Sequence, residues 1–431
     1  MTSNQPRTPL AAFARRAGRT IIAVTLGVTA FAALAVAGLS ASSAAASAGT
    51  VPTATGPRVE ATNGRQVVAI VLGRSGSDTA DVLAPYEVFA SSPAFAVYTV
   101  SDSTAPASLD GGLAVVPSYS FADVAAGTAP AADLIVVPAV NDPGGSDEQA
   151  ARTFVSSQYD AGVRILGVCA GSRLLAASGI LDGLRATSHW SRIGALEASN
   201  ADVTWVRGQR YVQDGRVTTT GGVTSSIWGS LKVMADLAGP DEASRVGSLI
   251  DHPGWSPDAP VAIPAQAFSA GDLSVLANTA FPWGRPVIDV RLGDGVDEID
   301  AAALLEVYNY SQAAAANASS TTGTITTRHG LLIHTDSVGT PDHELVVAGV
   351  AASRSGRHGF DAGFEHLSRH ASPTVVTSIA KMLEYPLDRV EQGSAPPHLQ
   401  WRAGFLTTLG VLLAIGIGAM PRILTRARRR S

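Results

Sequence analysis

Gly167–Ser191 reads GVCAGSRLLAASGILDGLRATSHWS and holds the only cysteine of the chain, Cys169. The apolar run Val163–Val168 leads into it, and Arg173–Ala177 leaves it with helical character. A strand, a tight turn and a helix with small residues around a nucleophile form an elbow, the cysteine counterpart of Gly-x-Ser-x-Gly. Gly167 and Gly171 allow neighbouring backbone to come close. The helix N-terminus faces the sulfur, so its dipole is expected to favour thiolate over thiol. The same five residues also read as a buried structural cysteine at a strand end, which is common.

Outward from this stretch, Val67–Leu72, Phe95–Val100, Leu113–Val116 and Leu134–Val137 are short apolar runs. The first ends at Gly73, as a strand buried on both faces does. Asp81–Ser91 and Ser146–Tyr159 have helical spacing. Alternation of this kind predicts an α/β fold with a doubly wound, mainly parallel sheet over residues 66–250. Chemistry in such sheets collects at the carboxyl ends of strands, which is where Cys169 falls.

These residues together resemble the DJ-1/PfpI family, a flavodoxin-like branch of the class I glutamine amidotransferase-like fold. The resemblance is greatest to its isocyanide-hydratase and GlxA-type branch. Gly167–Ser191 is similar to the family's cysteine elbow, its following helix and the His-Trp pair of that branch. Asp81-Val-Leu-Ala-Pro-Tyr-Glu87-Val-Phe89 resembles the branch's first helix, and Thr219–Thr224 the glycine-rich turn before the last helix. The resemblance implies that Cys169 is the reactive thiol. It implies that Asp81 hydrogen-bonds that thiol, and that His189 lies near the sulfur. A protonated Asp81 would manage a proton, and the Ala170 N–H would be one oxyanion donor. Each residue also has a plainer reading: Asp81 as a helix N-cap, His189 as a structural histidine beside Trp190, Glu87 as a cap or a solvated side chain.

Two positions depart from the family pattern. Pro138-Ala139-Val140 stands where the family has Pro-Gly-Gly, so the second oxyanion donor falls on Ala139 or Val140, with a β-branched residue restricting the backbone. Ala170 stands where protease-like members carry histidine, which disfavours peptidase activity.

Residues 285–395 echo the first domain. Ile288–Leu292 and Asp300-Ala-Ala-Ala-Leu-Leu-Glu306-Val-Tyr308 echo Val68–Leu72 and Asp81–Phe89. Gly330–Ile333 echoes Gly112–Val115, and His343–Val347 echoes Ala132–Val136. No second cysteine or elbow follows. We read 285–395 as a degenerate half-copy packed on the first, with Ser368–Leu387 as its closing helix. The Pro- and Gly-rich stretch 251–284 connects them. The other eight histidines show no recognisable ligand spacing, so neither metal nor cofactor is expected.

The ends are of another kind. Residues 1–48 carry four Arg and no acid, residues 402–431 six Arg and no acid, and the middle is net −15. Thr20–Leu39 is uncharged and precedes Ala46-Ser47-Ala48, which suits either a cleaved signal or an N-terminal anchor in 1–48. A small, polar linker follows over 49–65. Residues 403–420 form a second uncharged run, with Trp401 before it and the basic tail 421–431 after it. That order predicts a membrane helix with its tail in the cytoplasm and 49–400 on the extracytoplasmic side. There a lone thiol calls for a specific reason.

An acidic body does not invite nucleic acid. The expected partners are a small-molecule substrate or ligand and the membrane, and a second copy of the chain, since many family members pair. Three functions compete: a thiol-dependent hydratase or lyase acting on a small electrophile, a ligand- or redox-sensing module lacking the DNA-binding part of AraC-type regulators, and an inactive structural envelope protein.

Overall fold

Val67, Ala69 and Val71 pack into one hydrophobic core, while Val68, Ile70 and Leu72 pack into another on the opposite face. Side chains alternate along a strand, so a run that is apolar at every position needs cover on both sides. The computed structural model describes residues 56–59, 62–252, 255–280, 282–336, 339–347 and 359–390, with scattered positions between 25 and 38 and between 405 and 412.

Strand β1 (Gln66–Val71) lies inside a seven-stranded sheet. It pairs in parallel with β2 (Phe95–Ser101) and with β6 (Leu134–Val137). Beyond β2 lies β5 (Tyr119–Ser120); beyond β6 follow β7 (Arg164–Gly167), β11 (Val217–Thr220) and β10 (Tyr211–Asp214), of which β10 alone is antiparallel. A small parallel pair, β8 (Arg185–Ala186) and β9 (Thr204–Trp205), stands apart. Helices α1 (Thr79–Ala90) and α4 (Val223–Ala238) pack on one face of the sheet, and α2 (Gln149–Asp160) and α3 (Ser172–Ala177) on the other. The doubly wound, mainly parallel architecture is the one the apolar runs predict.

In the second half, β12 (Val287–Leu292) lies between β13 (Ala315–Ser319) and β16 (His343–Val347), parallel to both. Helix α5 (Glu298–Ser311) follows β12 as α1 follows β1. The halves meet in three ways. Helix α1 packs on α5. One core cluster holds Val68, Leu83, Leu305, Phe364 and Ile379 together. The hairpin β3 (Ala107–Leu109)–β4 (Leu113–Val115) joins the hairpin β14 (Thr324–Thr326)–β15 (Leu332–Thr335) in a four-stranded antiparallel sheet. In that sheet Ile333 stands opposite Val115. These are residues that the sequence comparison equates, and equivalent residues meet at a local two-fold axis.

The segment 368–387, expected as one closing helix, is broken. Helix α6 (Gly359–His370) stops and α7 (Pro373–Met382) starts afresh, with Ser372 as N-cap accepting from the Val375 N–H. Pro373 has no N–H to continue the earlier helix and suits a first turn. The expected signal or anchor, most of the linker, the membrane run 403–420 and the basic tail lie wholly or largely outside the described residues. Described positions in the two apolar runs are helical. No helix among the described residues is long and apolar enough to cross a membrane.

Candidate active site

Cys169 follows β7 with φ of +52°, a left-handed conformation that costs a non-glycine residue energy. Three local features hold it there. Its N–H donates to Thr220 Oγ1 at 2.9 Å, at the end of β11. Its carbonyl accepts from the hydroxyls of Ser172 and Ser188, each at 3.3 Å. Gly171 lies so close to β6 that an added Cβ would sit 2.1 Å from the Val137 carbonyl oxygen. Gly171→Ala is therefore expected to destabilise the fold by about 1–3 kcal/mol through overpacking, read as a lower urea midpoint. An unchanged midpoint would mean the elbow does not need that approach.

Asp81 enters from the first turn of α1. The N-cap of that helix is Asp78, whose carboxylate accepts from the Asp81 N–H, so Asp81 is not the cap. Being free of that role, Asp81 turns into the site and is fully buried. Its Oδ2 accepts from the Ala139 N–H at 3.0 Å, and its Oδ1 makes no hydrogen bond of ordinary length. The Cys169 thiol lies close enough to act as a weak donor toward this carboxyl. Burial, then the charge of Asp78, pushes the Asp81 carboxyl well above the usual carboxylate range.

The thiol is also held in its neutral form. Burial first, then the carboxylates of Asp81 and Asp78, pushes Cys169 well above the ordinary thiol range, against one favourable backbone N–H, that of Ala170. This corrects the expectation of a dipole-stabilised thiolate. Helix α3 has only six residues, and its field does not offset a desolvated site next to carboxylates.

The remaining site residues are placed as follows. Ala170 keeps its N–H near the sulfur, as an oxyanion donor requires. The Ala139 N–H is used by Asp81, so it positions the acid instead of serving an oxyanion. Val140 is buried and bridges to Ser77. His189 is buried with both ring nitrogens used: Nε2 donates to the Met382 carbonyl at 2.8 Å, and Nδ1 accepts from Ser191, with Oγ at 2.7 Å. Burial keeps it neutral, with a pKa lowered to about 4. The structural reading of His189 beside Trp190 thus describes its bonding.

The second half supplies residues that the sequence did not point to. Glu306 of α5 accepts from the Ala80 N–H at 3.0 Å, one residue from Asp81. Tyr310 donates to Asp78 Oδ2 at 3.1 Å. Spacing i, i+4 puts Tyr310 on the face of Glu306, the one signal that could have found it. Glu87 of α1 in turn accepts from the Ile299 N–H of α5 at 2.7 Å, so it caps the other half's helix. Burial raises Asp110 to about 7, and raises Asp78 and Glu306 as well. Among the described residues no group of three or more His, Cys, Asp or Glu side chains is arranged to hold a metal ion.

A left-handed cysteine at a strand end, faced by a carboxyl from the first helix, defines a thiol–carboxyl site on a flavodoxin-like sheet. The chain is similar in sequence to known proteins of one family. The sequence profile of the DJ-1/PfpI family matches residues 66–236. The isonitrile hydratase of Pseudomonas putida is 34% identical over 180 residues, 40% of this chain and 72% of that protein. The HTH-type transcriptional regulator GlxA of Rhizobium meliloti is 32% identical over 120 residues, 28% of this chain and 35% of the regulator, so the chain spans about a third of it. A solved THiJ/PfpI family protein from Pseudomonas syringae superposes with a TM-score of 0.39 at 27% identity, covering 51% of this chain and 86% of that one. The chain belongs to the DJ-1/PfpI family.

Proposed function

We propose that the protein is a thiol-dependent hydratase acting on a small electrophilic carbon of the isonitrile kind. The observation that carries this is the placement of the buried Cys169 thiol, held at a left-handed turn, within hydrogen-bond reach of the buried Asp81 carboxyl. A protonated carboxyl gives a proton to the substrate carbon as sulfur bonds to it, and takes the thiol proton in return. The sum is addition of S–H across the terminal carbon, leaving a thioimidate. Water then adds to its C=N bond, and expulsion of the thiol yields a formamide and free Cys169. The Ala170 N–H stabilises charge developing at the sulfur. Relatedness to an isonitrile hydratase over most of that protein's length supports the reading.

In this reading both ends of the chain hold it at a membrane, with residues 49–400 on the extracytoplasmic side and the Arg-rich tail in the cytoplasm. The described residues Val36, Phe405, Leu409 and Leu412 leave apolar side chains exposed, which suits lipid. The ligand-sensor reading is favoured by the sealed thiol, and it expects binding without turnover.

The deciding experiment incubates the detergent-purified full chain with a simple alkyl isonitrile and measures N-alkylformamide. Turnover by the wild type and its loss in Cys169→Ser, with circular dichroism unchanged, is expected. Equal formamide production by the two proteins would refute the proposal.

A further inference from the structure

Between the two halves, Ala259–Gly284 carries a single charged residue, Asp272. Within this stretch the helix Leu273–Ala280 packs on α5 and α7. Its polar groups are turned inward. Asp272, just before the helix, is buried; it pairs with Lys381 of α7 and accepts from the Ser269 N–H at 2.7 Å. Asn278 is buried, and its Nδ2 donates to the Ser311 carbonyl of α5 at 3.1 Å. Arg285 reaches back to donate to the Asn278 carbonyl at 2.8 Å.

What remains outside is apolar. Val275 enters the core. Leu273 and Leu276, three residues apart and so on one face, are 63% and 52% exposed. Ala277 and Ala280 share that face by spacing and are half-buried. Phe268 before the helix and Trp283 after it are 60% and 44% exposed. A surface helix ordinarily covers its apolar stripe and leaves its polar one to water. This helix does the reverse, and an apolar face left open marks a contact surface.

What meets the end of the helix indicates the occupant. Gly38, next to last in the apolar run Thr20–Leu39, lies against Ala280 and Pro282. An added Cβ at Gly38 would sit 1.9 Å from the Ala280 carbonyl oxygen and 3.0 Å from Pro282 Cδ. Val36, two residues earlier, is exposed. The N-terminal run therefore reaches the body beside the open face, and a bilayer that takes the run comes level with the helix. Residues 273–284 carry no charge that a lipid boundary would have to desolvate. Trp283 is the residue type that settles at such a boundary.

We propose that Leu273–Ala280, flanked by Phe268 and Trp283, is an interfacial helix that rests its apolar face on the lipid surface beside the N-terminal run. Its partner is the boundary between headgroups and acyl chains of a neutral bilayer. Residues 273–284 offer no Lys or Arg to an anionic headgroup, so buried apolar area is the source of the affinity. The inference rests on the reading that the chain is held at a membrane, and it is independent of the hydratase chemistry.

The test uses the full chain with Cys169→Ser, so that one introduced cysteine carries a nitrobenzoxadiazole label, reconstituted in phosphatidylcholine vesicles. Part of the lipid bears a nitroxide high on its acyl chain, which quenches fluorophores at that depth. Labelled Leu276→Cys is expected to lose roughly half of its fluorescence or more, because an interfacial helix buries its apolar face at the headgroup boundary. Leu273→Cys, one turn away on the same face, should behave alike, so the result does not hang on one substitution. Asp160→Cys, exposed at the end of α2 on the opposite face of the sheet, should lose little. If Leu273→Cys and Leu276→Cys stay bright while the chain floats with the vesicles on a density gradient, the interfacial helix is overturned and the membrane reading stands. A chain that does not float overturns both. Labels that ignore the nitroxide and quench one another in a dimer assign the face to a second copy and overturn the lipid contact.

Discussion

Asp81→Asn is expected to lower turnover by about 10²- to 10⁴-fold, the range for removing a positioned proton donor, and at the same time to make the folded protein more stable at alkaline pH. Both effects have one cause. Asp81 is buried beside Asp78, and its carboxyl is held well above the usual range. The folded chain therefore retains a proton that the unfolded chain releases near pH 4. Stability from that group is full below about pH 4 and is lost as the pH rises through the folded value. Asparagine is neutral throughout, and its Oδ1 can still accept from the Ala139 N–H that Asp81 now holds. The variant should match the wild type in urea at pH 4 and exceed it increasingly toward pH 8. A variant with wild-type turnover and a wild-type pH slope would remove Asp81 from the mechanism.

The second large effect concerns the reciprocal glutamates. Glu87 of α1 accepts from the Ile299 N–H of α5, and Glu306 of α5 accepts from the Ala80 N–H of α1. Each carboxyl caps the helix of the other half, and both are buried. Truncation leaves an unsatisfied buried N–H, which costs about 1–3 kcal/mol, besides the space vacated. Glu306→Ala and Glu87→Ala are each expected to lower unfolding free energy by about 2–4 kcal/mol on those two counts. Glu306→Gln should recover most of the loss, because its amide oxygen accepts as the acid does. Glu306→Ala should also slow turnover more than Glu87→Ala, since Ala80 adjoins Asp81 while Ile299 lies in a half without a thiol. Chemical denaturation of both variants checks the stability, and formamide production checks the asymmetry. A change below about 0.5 kcal/mol, within ordinary surface-substitution scatter, would show that the halves do not depend on these caps.

How far the sequence could be read depended on the range of the interactions involved. The strand runs and the elbow are encoded locally. Apolar residues at successive positions of Val67–Leu72 demand two covered faces whatever lies far away, and Gly167 and Gly171 mark the tight turn around Cys169. Asp81 was legible through its resemblance to the first helix of the family. Its proximity to Cys169 comes from the parallel arrangement of β1, β6 and β7, which carries both to the carboxyl ends of the strands. The protonation of the thiol was misjudged for a physical reason. A helix dipole can be seen in a local pattern, whereas desolvation and the charges of Asp78 and Asp81 depend on what packs around the sulfur. His189 likewise stands at the expected point in the chain, but its ring is turned to Met382, almost two hundred residues later.

By itself, then, the amino-acid order determined the strands, the cysteine turn and the echo of Asp81–Phe89 in Asp300–Tyr308. These rest on side-chain alternation, turn chemistry and spacing within a few residues. Only the tertiary structure decided that Glu306 and Tyr310 cross from the second half to Ala80 and Asp78 beside the acid, that Ala139 holds Asp81 in place of an oxyanion, and that Ser225 donates to Glu384. Those contacts join residues some 60 to 230 positions apart. No local pattern carries that information, because partners so distant in the chain are brought together only when the shared core closes and water leaves.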